Sequence, residues 1–386
     1  MIAYKYVLTC ATLLFLAACS QPDSNMTPNA NPFFSESELY LQYPAYDLIE
    51  DAHFAPAFER GMEIQLEEIK AITSNKEPAT FENTLVAMQR SGQMLSRVSR
   101  VFSGMTSAHT NETLESIRAE MAPKRAAHSD AIGLNPVLFE RIKSVFDSRD
   151  SVAYDPESRR LIEETYKDFV RAGANLSADE KSSLMAFNSE LASLQTSFSQ
   201  NVLNEVNDKA IVVDSADVLA GLTEGQIAKA AEAATARDME GKFVIPLLNS
   251  SGQPVLGSLQ NRALRERIYR TSISRGNSGG AYDNKENISR IARIRADRAK
   301  LLGFDNHAAL GLSNQTAQTT QAVNELLAIL APPAVRNAKR EAADLQRMID
   351  SEGGNFDLAP WDWAFYTEKV RKDRFDFDAS ELKPYL

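Results

Sequence analysis

The residues that most directly suggest covalent catalysis are Gly276, Ser278 and Gly280, which spell the GxSxG pattern of serine hydrolases. In such enzymes the serine sits on a strained turn that follows a buried strand and precedes a helix. The segment before Ser278 carries Leu264, Ile268 and four arginines at helical spacing, so it predicts an amphipathic helix in place of the strand. We therefore expect a glycine-rich turn that ends this helix, and not a catalytic nucleophile.

Histidines are the next candidates, because histidine serves both as a metal ligand and as a general base. The chain has His53, His109, His128 and His307, and no two of them lie three or four residues apart. The HExxH pattern, which presents two histidines to one zinc ion from successive turns of a helix, is absent from the sequence. The spacing of His109 and Glu112 would let both touch one ion, but it favours a surface pair. No catalytic or metal-binding residue is assigned.

A run of acidic residues near the end of the chain superficially resembles a calcium loop. It contains Asp376, Asp378, Ser380 and Glu381. An EF-hand loop needs glycine at its sixth position, and this chain has Glu381 there. We expect these residues to cap a helix instead.

Two tryptophans, Trp361 and Trp363, lie in the sequence PWDWAFY. A tryptophan pair can form a stacking platform for a ligand or close a hydrophobic core. Because each side chain buries a large apolar area, we expect this pair to seal the core.

Residues 1–18 predict an export signal. Lys5 precedes an apolar run that is shorter than the roughly 20 residues of a membrane-spanning helix. The sequence LAACS around Cys19 resembles the lipobox of bacterial lipoproteins, so we expect lipidation of Cys19, with an ordinary secretory signal as the alternative. Residues 19–32 are polar and predict a disordered tether. Ser20 resembles the residue of lipoproteins sorted to the outer membrane, which predicts a periplasm-facing anchor.

The composition excludes several functional classes. The formal net charge is -10, and Asp and Glu outnumber Lys and Arg, so nucleic acid is not an expected partner. Cys10 would leave with the signal and Cys19 would carry the lipid, so no free thiol would remain for catalysis, disulfides or metal. The body of the chain, residues 33–386, has the apolar and charged content of a globular protein.

Helical periodicity dominates this body. Two long helices open it, and Thr80 is predicted to cap the second. Their apolar positions are Met62, Leu66, Ile69 and Ile72 in the first, and Phe81, Leu85, Met88, Leu95 and Phe102 in the second. A third long helix begins at a capping box of Ser177 and Glu180. It has an apolar residue every three or four positions from Leu184 to Phe198, so we expect it to pack lengthwise on a neighbour.

Strand patterns are confined to residues 209–257. The segments AIVV, KFVIPLL and PVL predict a small hairpin or three-stranded sheet. A helix between the first two strands is predicted to start at a capping box of Thr223 and Gln226. Further helices follow, and Pro332 and Pro333 are expected to break or kink the longest of them. The predicted fold class is mainly α with a minor sheet.

Several of these segments together resemble bacterial peptidyl-dipeptidases. They are HFAPAFERGM, EPATFENTL, SGQMLSRVSRVF, LNPVLFERIKSVF, RAGANLSADEK, SISRGNSGGAYDN and PWDWAFYTEKVRKDRFDFDASELKPYL. From about residue 33 to the last residue, the chain is similar to the N-terminal half of the zinc oligopeptidase family, which includes oligopeptidase A and thimet oligopeptidase. The resemblance implies a mostly helical, two-lobed protein around a deep channel that admits short peptides, with this chain as the N-terminal lobe.

The resemblance also implies a chemistry. In peptidyl-dipeptidases a zinc-bound water, activated by the glutamate of HExxH, attacks the carbonyl and releases a C-terminal dipeptide. The family's zinc motif would lie beyond Leu386, so we expect no zinc on this chain alone and no activity from it, and a separate chain carrying the C-terminal half is a candidate partner. The alternative is a non-catalytic periplasmic lipoprotein whose helical lobe binds peptides or a partner protein.

Overall fold

The computed structural model describes residues 31–250, 252–376 and 385 of the protein. In this part of the chain the fold is mainly α with one two-stranded sheet, so the predicted fold class is confirmed. The helices are α1 Phe54–Ser74, α2 Ala87–Arg90, α3 Gln93–Ala108, α4 Glu112–Gly133, α5 Pro136–Asp147, α6 Pro156–Ala172, α7 Ala178–Asp208, α8 Glu224–Thr235, α9 Arg262–Ile273, α10 Lys285–Leu301, α11 His307–Leu312, α12 Thr320–Ser351 and α13 Trp363–Phe375. The strands are β1 Ile211–Val213 and β2 Phe243–Ile245.

Helix α1 confirms the first predicted helix. Met62, Ile69 and Ile72 are buried along its apolar face, whereas Leu66 is exposed. Helix α1 packs against α3 and α4. The core that the three helices share is built mainly from Phe54, Phe58, Met94, Val98, Phe102, Leu114 and Met121. This apolar core fixes the first turns of α4 next to α1.

The second predicted helix is wrong in its length. Thr80 caps it as expected, and its hydroxyl accepts from the backbone N–H of Asn83 at 3.1 Å. A π-helical segment, Phe81–Val86, then leads into α2. The helix ends before Gly92, and α3 begins at the residue after this glycine. Gly92 has a φ of 72°, a left-handed conformation that glycine adopts without steric cost. One predicted helix is therefore two, joined at a glycine.

Helix α7 is the long central element that the sequence predicted. The hydroxyl of Ser177 and the carboxylate of Glu180 form its capping box. The helix lies between α4 and α10, which confirms lengthwise packing. Of its predicted apolar positions Leu184 is buried, and the following positions are only half-buried: Phe187, Leu191, Leu194 and Phe198. Part of this face borders the cavities described below.

The sheet is smaller than the largest version predicted. Strands β1 and β2 pair antiparallel, with Val212 opposite Val244, and α8 connects them with its predicted capping box in place. The third predicted strand is wrong, because Pro254–Gly257 forms a 3-10 helix. Proline has no N–H to donate to a strand ladder, which disfavours strand pairing at this position. The sheet packs with α9 into a separate apolar core.

Helix α12 is continuous across Pro332 and Pro333, so of the predicted break or kink the break is wrong. A proline inside a helix removes one backbone hydrogen bond and crowds the preceding turn. Residues 324–340 are all exposed, so the carbonyls that lose their donors can bind water instead. The second half of α12 is anchored by Leu345 and Ile349, which pack with Tyr366 of α13.

No membrane-spanning helix is found among the described helices. None of them combines the length and the apolar character that crossing a bilayer requires.

Candidate functional site

Ser278 lies in the loop between α9 and α10, so a helix precedes it and the predicted turn is confirmed. Gly276, Gly279 and Gly280 all have positive φ angles in this loop. The Ser278 hydroxyl donates to the carboxylate of Glu205, which is buried near the end of α7 and also accepts from the backbone N–H of Gly276. These contacts attach the loop to α7, and none of them pairs the serine with a histidine base.

Asn284 completes this attachment, and α10 begins at the residue after it. Its amide nitrogen donates to the carbonyl of Phe198 at 3.0 Å, and its amide oxygen accepts from Asn201 at 3.0 Å. Its backbone N–H donates to the carbonyl of Gly276 at 2.8 Å. All these groups are hydrogen-bonded to one another or to α7, so the GxSxG segment serves as a connection between helices.

The histidines are dispersed in the structure, as they are in the sequence. Nδ1 of His53 accepts from the backbone N–H of Glu50 at 3.0 Å. His109 ends α3 and Glu112 begins α4. Burial is the largest cause of the lowered pKa of His307, which lies at the start of α11. Across residues 31–250 and 252–376, no three His, Cys, Asp or Glu side chains come together as ligands for one ion, so these residues do not fit a zinc site.

Several predictions fall partly or wholly outside the described residues, among them the export signal of residues 1–18 and the tether of residues 19–32, of which only the last two residues are described. Cys19, the predicted lipidation site, lies outside them, and so do Asp378, Ser380 and Glu381. Asp376 is described, and it is the residue at which α13 ends, in a left-handed conformation with a φ of 45°. The position agrees with a role at a helix terminus.

The two tryptophans have different surroundings. The half-buried ring of Trp361 lies 6.2 Å from that of Tyr269, between ring centroids, and the guanidinium of Arg270 lies 4.8 Å from the Trp361 ring. Trp363 is 36% exposed. The prediction that both seal the core is therefore wrong for Trp363, which is the first residue of α13, whereas Trp361 precedes the helix.

A cavity of 750 Å³ opens between α1, α4 and α7. We call it the α4/α7 cavity. Its polar lining consists of Gln65, Arg118, Arg125, His128, Ser129, Gln195, Thr196 and Ser199, and its apolar lining of Leu95, Ala122, Ala126, Ile132, Phe169 and Ala192, with Gly133. The volume falls within the roughly 300–1,000 Å³ that is typical of small-ligand sites. Among the described residues, no Asp or Glu lines this cavity, although the chain as a whole carries a net charge of -10.

One wall of the α4/α7 cavity holds a buried histidine. Nε2 of His128 lies 2.7 Å from Oε1 of Gln65, and the amide nitrogen of Gln65 donates to Ser91 at 3.5 Å. An amide oxygen only accepts hydrogen bonds, so Nε2 of His128 carries the proton. Nδ1 of His128 is buried and has no hydrogen-bond partner among the described residues. Burial lowers the pKa of His128, so the imidazole is neutral at pH 7.

The two arginines of the cavity have different surroundings. Arg118 forms an ion pair with Glu115 at 3.4 Å. Arg125 lies over the ring of Phe58, with 5.3 Å between the guanidinium carbon and the ring centroid. Although Arg125 is an exposed residue as a whole, partial loss of hydration lowers its pKa. Among the described residues, no carboxylate forms an ion pair with Arg125.

A second cavity of 440 Å³ lies between α7 and α10. It is lined by Gln195, Phe198, Ser199, Ile288, Ile291, Ala292 and Arg295. Gln195 and Ser199 line both cavities, so α7 separates the two spaces. The half-buried apolar face of α7 thus borders open space as well as neighbouring helices.

The helices around the cavities are joined by a polar chain. The amide nitrogen of Asn188 on α7 donates to Asp130 on α4 at 2.7 Å, and its amide oxygen accepts from Nε of Arg298 on α10 at 2.9 Å. Burial raises the pKa of Asp130, against the opposing effects of the Asn188 hydrogen bond and the Arg298 charge. These hydrogen bonds between Asp130, Asn188 and Arg298 set the spacing of α4, α7 and α10.

A buried ion cluster centred on Asp362 was not predicted from the sequence. Nε of Arg262 donates to both carboxylate oxygens at 3.1 Å, and its Nη2 donates to Oδ2 at 2.8 Å. Nη2 of Arg265 donates to Oδ1 at 2.8 Å. Asp362 is 0% exposed and Arg265 is 1% exposed. Arg265 also donates to the carbonyls of Leu259 and Gln260. The partners lie about a hundred residues apart in the chain, so no local pattern could have revealed the cluster.

Comparison with known proteins gives a consistent result. The family model described as peptidase family M3 matches residues 255–386. Dipeptidyl carboxypeptidase of Salmonella typhimurium is 39% identical over 358 residues, which are 93% of this chain and 53% of that protein. The Escherichia coli dipeptidyl carboxypeptidase is 39% identical over 356 residues, which are 92% of this chain and 52% of that protein.

A more distant relative extends the comparison. Oligopeptidase A of Escherichia coli is 26% identical over 360 residues, which are 92% of this chain and 52% of that protein. In each of these comparisons nearly all of this chain is aligned. The chain spans about half the length of the curated relatives that it matches.

Proposed function

Because the chain belongs to the zinc oligopeptidase family, peptidase family M3, we propose that it is part of a metallopeptidase of peptidyl-dipeptidase type. The observation that carries this proposal is the 39% identity to dipeptidyl carboxypeptidase over 93% of the chain. The reaction of such an enzyme is the hydrolysis of short peptides with release of C-terminal dipeptides. The contribution of this chain is to receive the peptide, and the α4/α7 cavity supplies a space of suitable size.

In this proposal the chain alone does not hydrolyse peptides. Family M3 depends on zinc, which activates the attacking water when it is bound. The 386 residues contain no HExxH, so hydrolysis requires zinc ligands that this chain does not provide. A polypeptide that carries them is the partner this proposal calls for.

A peptide assay tests both parts of the proposal. The purified chain is incubated with zinc and an N-acetylated pentapeptide, binding is measured by calorimetry, and dipeptide release is measured by mass spectrometry. Binding without release is expected, and a dipeptidyl carboxypeptidase serves as the positive control for release. Turnover that rises with added zinc would contradict the proposed inactivity. Absence of any peptide binding would contradict the peptide-receiving role.

We also propose that Cys19 carries a lipid that anchors the protein to the outer membrane, facing the periplasm. The support is the lipobox-like sequence LAACS followed by Ser20. Several acyl chains are needed for stable anchoring, since one chain alone binds a membrane only marginally. The test is the fractionation of envelopes from cells that produce the chain or its Cys19→Ala variant. The chain should float with outer-membrane vesicles and the variant should not; equal distribution of the two would overturn the anchor.

The competing function is a non-catalytic lipoprotein that binds peptides, and a cavity lined by polar and apolar side chains favours a binding role in either case. The codons that follow Leu386 separate the two functions. A continuation that encodes HExxH in any frame supports the peptidase, whereas unrelated sequence supports the binding lipoprotein.

A further inference from the structure

Residues 34–48 form an exposed loop ahead of α1, which we call the aromatic loop. We propose that this loop contacts the surface of the membrane that carries the protein, with Tyr40 and Leu41 inserted at the lipid–water interface. This inference rests on the proposed lipid anchor at Cys19. It adds a second membrane contact, which the hydrolysis of peptides does not require.

The aromatic loop exposes many large apolar side chains for its length. Seven such residues are exposed between positions 34 and 48: Phe34, Leu39, Tyr40, Leu41, Tyr43, Tyr46 and Leu48. Tyr40 is 86% exposed and Leu41 is 82% exposed, so both side chains lie almost wholly in solvent. A concentration of exposed apolar side chains among polar residues marks a contact site for a protein or a membrane.

Both ends of the aromatic loop are fixed to the helical body. Phe33 is buried, and its ring centroid lies 5.3 Å from that of Phe54 at the start of α1. At the other end, the backbone N–H of Glu50 donates to Nδ1 of His53 at 3.0 Å. The exposed side chains therefore project from a loop that is attached at two points.

The tip of the aromatic loop has an unusual backbone. Leu41 and Gln42 have φ angles of 55° and 56°, a left-handed conformation that residues other than glycine rarely adopt. The hydroxyl of Ser37 donates to the carbonyl of Tyr43 at 2.6 Å, which closes the loop around this tip. Because Leu41 is exposed, its side chain gains little from the fold to offset the strain. A strained backbone that presents an apolar side chain to solvent favours a role in binding.

The position of the loop in the chain favours a membrane as the partner. Phe34 follows Cys19, the proposed lipid-bearing residue, by 15 positions. Fifteen residues span at most about 50 Å when fully extended, so the lipid would hold the loop close to the bilayer. Linking a weak contact to an anchor raises its effective concentration. An interfacial contact too weak to hold the free protein is therefore sufficient beside the lipid.

The composition of the loop specifies the kind of membrane surface. Three of its exposed residues are tyrosines, which are enriched at membrane–water interfaces because the ring is apolar and the hydroxyl stays in water. The loop also contains Glu36, Glu38 and Asp47, and it has no Lys or Arg. Even with Glu36 paired to Arg97 of α3 at 3.6 Å, the loop is negatively charged. It therefore fits a zwitterionic lipid surface better than an anionic one.

A fluorescent label on the loop tests this contact independently of lipidation. The chain from residue 19 to residue 386, with Cys19→Ala and an N-terminal histidine tag, is held on phosphatidylcholine vesicles by a nickel-chelating lipid. It then has no cysteine, so Tyr40→Cys provides a single thiol for an environment-sensitive fluorophore. The emission should shift to shorter wavelength on vesicles, because the label enters a less polar region.

A matched label site tests whether the contact is confined to the aromatic loop. Val152 is another exposed apolar residue, 48% exposed, and it lies between α5 and α6. The same fluorophore attached through Val152→Cys should show no shift on the same vesicles. Equal shifts at the two positions would overturn the inference.

A substitution at the tip separates binding from folding. Leu41→Asn, combined with the label at position 40, should lose most of the emission shift. Asparagine adopts the left-handed conformation more readily than leucine, so this variant should melt at the same temperature or higher. An unchanged shift, or a much lower melting temperature, would show that Leu41 supports the fold and does not contact lipid.

Changing the lipid charge tests the chemistry of the contact. Replacing part of the phosphatidylcholine by phosphatidylglycerol should reduce the shift at low ionic strength. Added salt should restore it, because salt screens the repulsion between the carboxylates and the headgroups. A larger shift on the anionic vesicles would contradict the proposed interfacial contact.

The outcomes distinguish this inference from the proposed anchor. The absence of a shift at position 40 on every vesicle would overturn the loop contact, even if Cys19 is lipidated in cells, and would leave a protein as the partner of the exposed side chains. A shift confined to position 40 would support the loop contact. If the native chain then fails to float with outer-membrane vesicles, the anchor alone is wrong.

Discussion

Two regions of the molecule use arginine in opposite ways. In the Asp362 cluster, Arg262 and Arg265 surround one buried carboxylate, and Arg265 also donates to two backbone carbonyls. At the α4/α7 cavity, Arg125 lies over the face of the Phe58 ring and has no ion-pair partner among the described residues. A buried guanidinium whose donors are all satisfied by the protein holds the fold together, because removing either partner leaves a charge without compensation. A guanidinium that has no ion-pair partner in the protein is available to a ligand.

The largest expected effect concerns the Asp362 cluster. Asp362→Asn keeps the shape of the side chain but leaves two arginines without a counter-charge, and breaking such a buried pair costs about 3–5 kcal/mol. The free energy of unfolding, measured with urea, should fall by that amount. A loss below about 1 kcal/mol would show that the cluster is solvated and that the contrast with Arg125 is false.

The same cluster predicts a pH dependence of stability. Burial alone would raise the pKa of Asp362, but hydrogen bonds from Arg262 and Arg265 outweigh it, so the pKa lies below its ordinary value of 3.8. The unfolded chain therefore takes up a proton at a higher pH than the folded chain does. The stability that this group contributes is fully present above pH 3.8 and is lost as the pH falls through the lower folded pKa.

Urea unfolding between pH 6 and pH 3 measures this contribution. The native chain should lose more stability over this range than Asp362→Asn, which has no carboxyl group to titrate at this position. Parallel pH profiles for the two proteins would contradict the depressed pKa of Asp362.

A glycine next to the cavity provides an intermediate effect. A Cβ atom at Gly92 would strain the left-handed backbone and collide with the side chain of Gln65, so Gly92→Ala should cost roughly 1–2 kcal/mol. Gly104→Ala is the matched control, because it lies inside α3 with no atom near its added methyl group and should stabilise by about 1 kcal/mol. Urea unfolding measures the change in the free energy of unfolding for both variants. Equal effects of the two substitutions would show that the turn at Gly92 does not constrain the cavity wall.

An exposed ion pair gives a smaller effect and sharpens the comparison. Arg290 on α10 binds Glu190 on α7 with two nitrogens, at 2.5 and 2.6 Å, but both side chains are exposed. Arg290→Gln should change stability by only about 0.2–1 kcal/mol, because solvent screens the pair. A loss as large as that of Asp362→Asn would mean that burial is not what distinguishes the two pairs.

The smallest effect on stability is expected at the cavity itself. Arg125→Gln removes no ion pair, so the free energy of unfolding should change by less than about 0.5 kcal/mol. A loss above about 2 kcal/mol would show that Arg125 supports the fold, as the arginines around Asp362 do.

Local features of this fold were predictable, and distant ones were not. The capping boxes at Ser177 and Thr223 involve residues three positions apart, so the sequence shows them directly. The division at Gly92 was missed because the apolar spacing continues across it. The unbroken α12 was missed because Pro332 and Pro333 lie in an exposed segment, where water can replace lost hydrogen bonds.

The candidate site depended on tertiary placement. The lining residues come from five helices, which local sequence patterns do not bring together. The positions three and four residues from Arg125 hold no Asp or Glu, so the sequence shows only that it has no ion-pair partner on its own helix face. Lys124, one residue away, pairs with Glu59 of α1 and Glu120 of α4, and the Glu59 contact is tertiary. What the sequence did provide was the family resemblance, which rests on segments spread along the chain and is confirmed by the comparisons.

The most direct test of the contrast is a thermal melt of the full chain and of Arg125→Gln, each with and without the N-acetylated pentapeptide. At a ligand concentration 100 times Kd, binding to the folded state adds about 2.7 kcal/mol of stability. We predict equal melting temperatures without peptide, and a rise with peptide in the native chain alone. A variant that melts much earlier without peptide, or that gains as much from it as the native chain, would contradict the contrast between Arg125 and the Asp362 cluster.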